Sequence, residues 1–111
     1  MGFLIYAGAD YEIEDRTLAH LKAAVGHRLR MQESFFISWL VPVEKGRGRI
    51  SLWVSPSVPI VFRFAGSRAP ELNPVWLEAL RTLSHTSRGM LVLTEAEAEA
   101  YMKDKTGRET P

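Results

Sequence analysis

The sequence predicts an α+β fold, an antiparallel sheet of about five to six strands with two main helices on one face, in the order ββαβββαβα. Three observations lead there. Aromatic and β-branched residues alternate at period two in short runs bounded by Gly and Pro, leucines recur at three- and four-residue steps in two longer segments, and strands follow one another without strict alternation with helices. Nothing in the 111 residues resembles a linker long enough to separate two cores, so residues 1–105 are expected to form one domain and residues 106–111 a flexible C-terminal tail.

Phe3 to Tyr6 and Tyr11 to Glu14 are β-prone runs joined by Ala7-Gly8-Ala9-Asp10, which predicts a hairpin. Asp15 can cap the following helix over about residues 16–30, where Leu18, Leu21, Val25 and Leu29 share a face. Gly26 inside that helix costs about 1 kcal/mol relative to Ala, a sign that something packs closely there. From Ser34 to Val41, Phe35, Ile37, Trp39 and Val41 alternate with Phe36, Ser38 and Leu40, and Pro42 stops the run. The Lys45-Gly46-Arg47-Gly48 turn leads into Arg49 to Ser55, and after Pro56-Ser57-Val58-Pro59 comes Ile60 to Phe64, so these three strands are expected to form one meander. Asn73 followed by Pro74 marks the start of a second helix, with Trp76, Leu77, Leu80 and Leu83 inward and Gly89 closing its exit. Met90 to Leu93 reads as a short buried strand, and Thr94 to Glu97 as a capping box opening an acidic third helix.

Hydrophobic residues at 46% and charged residues at 24% exclude a disordered chain. The absence of Cys excludes disulfides, thiolate zinc sites and cysteine nucleophiles, and suits a reducing compartment. The opening Met1 to Asp10 lacks the basic flank and long apolar stretch of a signal peptide, and no segment approaches the roughly 20 apolar residues of a bilayer span. A cytoplasmic protein without a membrane partner is the expectation. The net charge of +1 is unevenly spread: residues 1–15 carry −4, residues 16–68 carry +7 and residues 69–111 carry −2. A basic middle admits an anionic partner if the fold gathers those charges on one surface.

Catalytic signatures are missing. The only dense glycine cluster, Gly46-Arg47-Gly48, falls in a predicted hairpin and not before a helix, which argues against a phosphate loop. His20 and His27 stand seven apart on the first helix and His85 follows the second, without metal-ligand spacing, so solvated or structural histidines are expected and no metal or cofactor. No GxSxG occurs to support a hydrolase triad. A non-enzymatic binding module is therefore the expected class, with no catalytic residue assigned.

Two features bear on binding. Arg16, His20, Ala23, His27 and Arg30 fall on one stripe of the first helix beside Lys22 and opposite the leucines, a pattern shared by ordinary solvated faces. On the predicted sheet, Phe36, Trp53 and Arg63 point away from the helices together with several serines, where a face open to water should be polar. Phe36, Trp53 and Arg63 are thus the candidate interface. Three coverings are open: a second copy in a homodimer, the third helix or N-terminal hairpin of the same chain, or single-stranded nucleic acid stacked on the aromatics. For the nucleic-acid alternative the candidate contacts are Arg16, Lys22, Arg30, Lys45, Arg47 and Arg49, with the Lys45 to Arg49 hairpin as the probing element. Whether a small-molecule ligand sits against the sheet is open.

The stretches Tyr11 to Lys22, Gln32 to Trp39 and Glu71 to Trp76 resemble, over about the first hundred residues, a family of short uncharacterised proteins from actinobacteria of the Microbacterium kind. Some members carry the automatic label ATP-dependent DNA ligase. The resemblance implies a bacterial cytoplasmic setting and little chemistry. Such ligases attack ATP with the lysine of a Lys-x-Asp-Gly motif, whereas Lys22, Lys45, Lys103 and Lys105 are followed by Ala-Ala, Gly-Arg, Asp-Lys and Thr-Gly. Incubation with labelled ATP and magnesium is accordingly expected to give no lysine-AMP adduct, because no lysine has the neighbours that would activate it. A stoichiometric adduct would overturn the non-enzymatic reading.

Overall fold

In a computed structural model, residues 1–109 are described, with side chains through Lys105. Ala7 and Gly8 take φ of 50° and 84°, and two consecutive positive values reverse the chain in the tightest hairpin connection available. They join β1 (Gly2–Tyr6) to β2 (Ala9–Ile13), which pair antiparallel from Gly2↔Ile13 to Tyr6↔Ala9. Gly2 is required by crowding, since a Cβ there would lie 2.5 Å from the Arg63 carbonyl oxygen and 2.7 Å from Asp15 Oδ1.

Helix α1 (Asp15–Arg30) begins at Glu14, which makes no side-chain cap. The expected Asp15 cap is corrected: its carboxylate reaches across the fold and accepts from the amides of Ala65 and Gly66 at 3.1 and 2.9 Å. The helix ends where Gln32 takes a left-handed φ of 60°, with Glu33 N–H donating to the Arg28 carbonyl and Gln32 N–H to the Leu29 carbonyl. Then follow β3 (Phe35–Val41), a 3-10 turn (Val43–Lys45) that the sequence did not suggest, β4 (Gly48–Val54), β5 (Ile60–Arg63), α2 (Pro74–Ser84), β6 (Met90–Leu91) and α3 (Glu95–Glu109). The start signals of α2 and α3 hold, whereas Gly89 does not close α2, which ends at Ser84 with His85 as its cap. Asn73 Oδ1 accepts from the Val75 amide at 2.9 Å, and Thr94 and Glu97 form a reciprocal box at 2.8 and 3.2 Å. Of the tail expected over 106–111, α3 occupies the positions to 109 and residues 110–111 lie outside the described residues.

The single sheet is corrected to two three-stranded sheets, ordered β2-β1-β5 and β4-β3-β6. β5 leaves the expected meander and pairs antiparallel with β1, with Phe3 opposite Arg63 and Tyr6 opposite Ile60. The segment carrying Pro56 and Pro59 cannot make a tight hairpin, and it leads β5 from the end of β4 to the open edge of β1. The Tyr6 hydroxyl meets the end of β4 instead, donating to the Trp53 carbonyl and accepting from the Ser55 amide, both at 3.0 Å. β6 runs parallel to β3, with Ile37 opposite Met90 and Ser38 opposite Leu91. Gly89 makes that approach possible: its φ is 80°, and a Cβ would fall 2.5 Å from the Phe36 carbonyl oxygen.

Both sheets face one core. Leu4, Tyr6 and Ile13 from the first, Phe35, Ile37 and Val54 from the second, Leu18, Leu21 and Val25 from α1 and Trp76 and Leu80 from α2 form a single buried cluster. Tyr11 and Trp39 join the sheets edge to face, with centroids 5.4 Å apart. α1 lies against β1, and α2 against β3 and β6. Among the described residues no helix is long and apolar enough to cross a membrane.

The close packing expected at Gly26 is not there, since the nearest atom to a Cβ would be Arg30 Nη1 at 3.9 Å, an ordinary contact. With no positive φ to preserve, Gly26→Ala should raise stability by about 1 kcal/mol in urea denaturation. A destabilised variant would show a constraint at this turn of α1 that the contacts do not contain.

Candidate interaction surface

Strand alternation sends Phe36, Ser38 and Leu40 of β3 and Arg49, Ser51 and Trp53 of β4 to the face of their sheet opposite the core. The register makes three cross-strand pairs of them, Phe36↔Trp53, Ser38↔Ser51 and Leu40↔Arg49. The aromatic rings meet at an angle of 65° with centroids 4.9 Å apart. The serine hydroxyls lie 2.8 Å apart, and Ser38 Oγ also donates to the Arg88 carbonyl at 3.5 Å. Phe36 is 43% exposed, Trp53 55% and Leu40 79%, so neither α3 nor the N-terminal hairpin covers this face among the described residues. A ladder of backbone pairs fixes its shape, and of the six side chains that β3 and β4 present on it one is charged, Arg49, with the exposed Arg88 at the edge beside Ser38.

Arg63 does not belong to that surface. It lies on β5, in the other sheet, exposed beside Val61 and opposite Phe3. The expected grouping of Phe36, Trp53 and Arg63 failed because it assumed that β5 continues the meander.

The basic segment is divided in space. Arg16 is held by Glu95 through Nε and Nη2 at 3.2 and 2.8 Å and donates from Nη1 to the Glu71 carbonyl at 2.9 Å. Lys45 is paired with Glu12 of β2. Arg28 holds Glu33 at 2.6 Å and the Ser84 carbonyl at 2.9 Å, with its guanidinium 4.8 Å from the Phe35 ring centroid. Lys22 and Arg30 line a cleft on α1 together with Arg68, while Arg47 and Arg49 project from the region of the β3–β4 turn. Several of the charges that made residues 16–68 look like a polyanion surface are therefore engaged in holding elements together.

His20 leaves the stripe that looked solvated and is instead a structural histidine, the other of the two expectations for it. It is fully buried, because α2 packs on that side of α1 and widens the buried arc beyond the leucines to Ala24 and His20. Its Nδ1–H donates to the Arg16 carbonyl at 2.7 Å, and Nε2 accepts from the Asn73 amide at 2.8 Å. The Asn73 amide requires a neutral ring and the Arg16 carbonyl fixes its tautomer, and the ring stacks on Trp76 with centroids 4.0 Å apart and 20° between planes. Asn73 Nδ2 donates in turn to Glu95 at 2.8 Å, and Trp76 Nε1 to the Leu93 carbonyl at 3.1 Å. Sequence spacing could not show this cluster, since its members come from three separated elements. The only local hint is Ala24, one turn after His20 on the same arc. Among the described residues no three His, Asp or Glu side chains group as a metal ligand set.

These features define a class: a small α+β domain whose two three-stranded sheets share one core and whose second sheet presents an open aromatic face. Residues 1–95 match the model of a family described as a domain of unknown function, DUF7882, and the chain belongs to that family. No curated protein and no solved structure matches it.

Burial moves His20 below the ordinary imidazole value of 6.5. Its unfolded form then takes up a proton first, so its contribution to stability is complete above pH 6.5 and is lost as pH falls. Arg16 and then Asn73 hold the Glu95 carboxyl down at about 2, so its contribution is lost only as pH falls from 4.5 towards 2, and the Gly66 and Ala65 amides lower Asp15 below its ordinary 3.8 in the same sense. Urea midpoints between about pH 8 and pH 5 should decline in the natural protein and stay flatter in His20→Gln. A flat natural profile would mean that the ring is not held neutral.

Proposed function

We propose that this protein is a non-enzymatic interaction module that self-associates through the outer face of β3 and β4. The observation carrying the reading is the exposed Phe36–Trp53 pair on a sheet face whose β3 and β4 side chains include a single charge. A second copy suits it on its own chemistry. A twofold axis through the Ser38–Ser51 pair sets Phe36 and Trp53 of one copy on Leu40 and Arg49 of the other. That arrangement covers the exposed leucine, gives the guanidinium an aromatic face, and keeps the two Arg49 charges at opposite ends of the contact.

The bacterial cytoplasmic setting implied by the actinobacterial resemblance accords with this reading. The ligase label of some relatives would then refer at most to an accessory module once found beside a ligase, and not to nucleotidyl transfer. Arg49 sharing a face with Trp53 favours, as the second reading, an unpaired nucleic-acid strand stacked on the same surface.

Light scattering with circular dichroism separates the two. The natural protein should be a dimer at high micromolar concentration, and Phe36→Ser with Trp53→Ser, or Leu40→Asp alone, should give folded monomers. A natural protein that stays monomeric refutes self-association. Salt-sensitive binding of a single-stranded oligonucleotide by that monomer, weakened by Arg47→Ala with Arg49→Ala, would put the second reading in its place.

A further inference from the structure

α1 turns a second surface to solvent, on the side away from its leucines. Along it the small Ala19 and Ala23 leave room between the helix and the loop that follows β5, and a cleft of about 380 Å³ opens there, within the range that holds small organic ligands. Phe64 and Leu72 supply apolar walls, while Lys22 and Arg30 from the helix and Arg68 from the loop supply charge. The Lys22 ammonium lies 6.0 Å from the centroid of the Phe64 ring, so cation and aromatic surface are adjacent.

The charge of this cleft is uncompensated. The described ion pairs engage Arg16, Arg28, Lys45 and Arg81, and none engages Lys22, Arg30 or Arg68. Among the described residues Asp15 is the one carboxylate lining the cleft, and its two oxygens already accept from the Ala65 and Gly66 amides. Three cations against one carboxylate leave a net charge of +2 beside an aromatic wall. The wall is also built in advance. Asp15 ties down the start of the loop, and Arg16 and His20 tie down its end through the Glu71 carbonyl and the Asn73 amide. A ligand would not have to order the loop, which removes part of the usual cost of binding.

From this juxtaposition we propose that the cleft between α1 and residues 64–72 is a binding site for a small organic phosphate whose apolar part packs on Phe64. A phosphate monoester carries about −1.5 to −2 at pH 7 and matches the excess charge, which a single carboxylate does not. Arg30 and Arg68 offer paired N–H donors to its oxygens, and Lys22 a mobile point charge. This site shares no residue with the aromatic sheet face, so occupancy of one does not require the other.

The test is an amide NMR titration of the natural protein with phenyl phosphate, with inorganic phosphate, and with a single-stranded oligonucleotide. Saturable shifts from phenyl phosphate centred on Ala19, Ala23 and residues 64–69 are expected, with weaker binding of inorganic phosphate. Lys22→Gln with Arg30→Gln, and separately Arg68→Gln, should weaken phenyl phosphate at least about tenfold while the remaining spectrum stays native. Phe36→Ser with Trp53→Ser should leave the binding unchanged, which keeps this result separate from self-association. No saturable shift below about 10 mM, or equal affinity in the charge variants, overturns the site. Equal affinity for inorganic phosphate overturns its apolar half. Tighter, steeply salt-dependent binding of the oligonucleotide at the same residues overturns the small-molecule class in favour of nucleic acid.

Discussion

The neutral imidazole of His20 is the contact on which the helical layer depends. One ring nitrogen donates to the Arg16 carbonyl within its own helix, and the other accepts from the amide of Asn73, the residue that caps α2. The first backbone amides of a helix need partners, and the residue that supplies one for α2 is itself positioned by α1. Asn73 then reaches Glu95 at the start of α3, where Arg16 also binds. Two side chains of α1, His20 and Arg16, thereby tie the starts of the other two helices to it. A protonated ring would present a second N–H to the Asn73 amide, donor against donor in a buried place, which no rearrangement of hydrogens can relieve.

The same stretch of α1 disciplines the long connection from β5 to α2. Asp15 and Arg16 hold backbone groups at either end of it, so residues 64–73 form a wall and not a loose excursion. These charged contacts are exposed, and the geometric constraint matters more than the energy of any one pair. Holding that connection also fixes β5 beside β1, since Gly2, Asp15 and the Arg63 carbonyl crowd together at one point. The contacts that shape the cleft on α1 thus also border the seam where β5, carried there by the Pro56–Pro59 segment, meets β1.

Much of the local structure was legible, and the sites were less so. The Asn73-Pro74 start, the Thr94–Glu97 box and the alternation of β3 and β4 all rest on neighbours within a few residues, and each formed as its residues require. Phe36 and Trp53 were legible as outward residues for the same reason, because side-chain direction in a strand follows from parity alone. Arg63 was not, since its face depends on which strand β5 joins. The cations illustrate the opposite limit. A count along the chain could not separate Lys45, paired with Glu12 of another strand, from Arg49, left on an open face.

By itself the sequence determined the helices and strands, the α+β class and the parity of β3, β4 and β5, because capping, periodicity and turn chemistry act over distances of a few residues. The tertiary structure decided which strand edges meet, which charges are consumed, and that His20 lies inside. Those outcomes depend on partners far apart in the chain: β5 with β1, β6 with β3, and His20 with Asn73. A helical stripe of Arg, His and Ala is polar by composition, yet α2 and the loop before it cover part of that stripe and leave Lys22 and Arg30 on a cleft. Burial is a property of what packs on a residue, and residue order alone does not contain it.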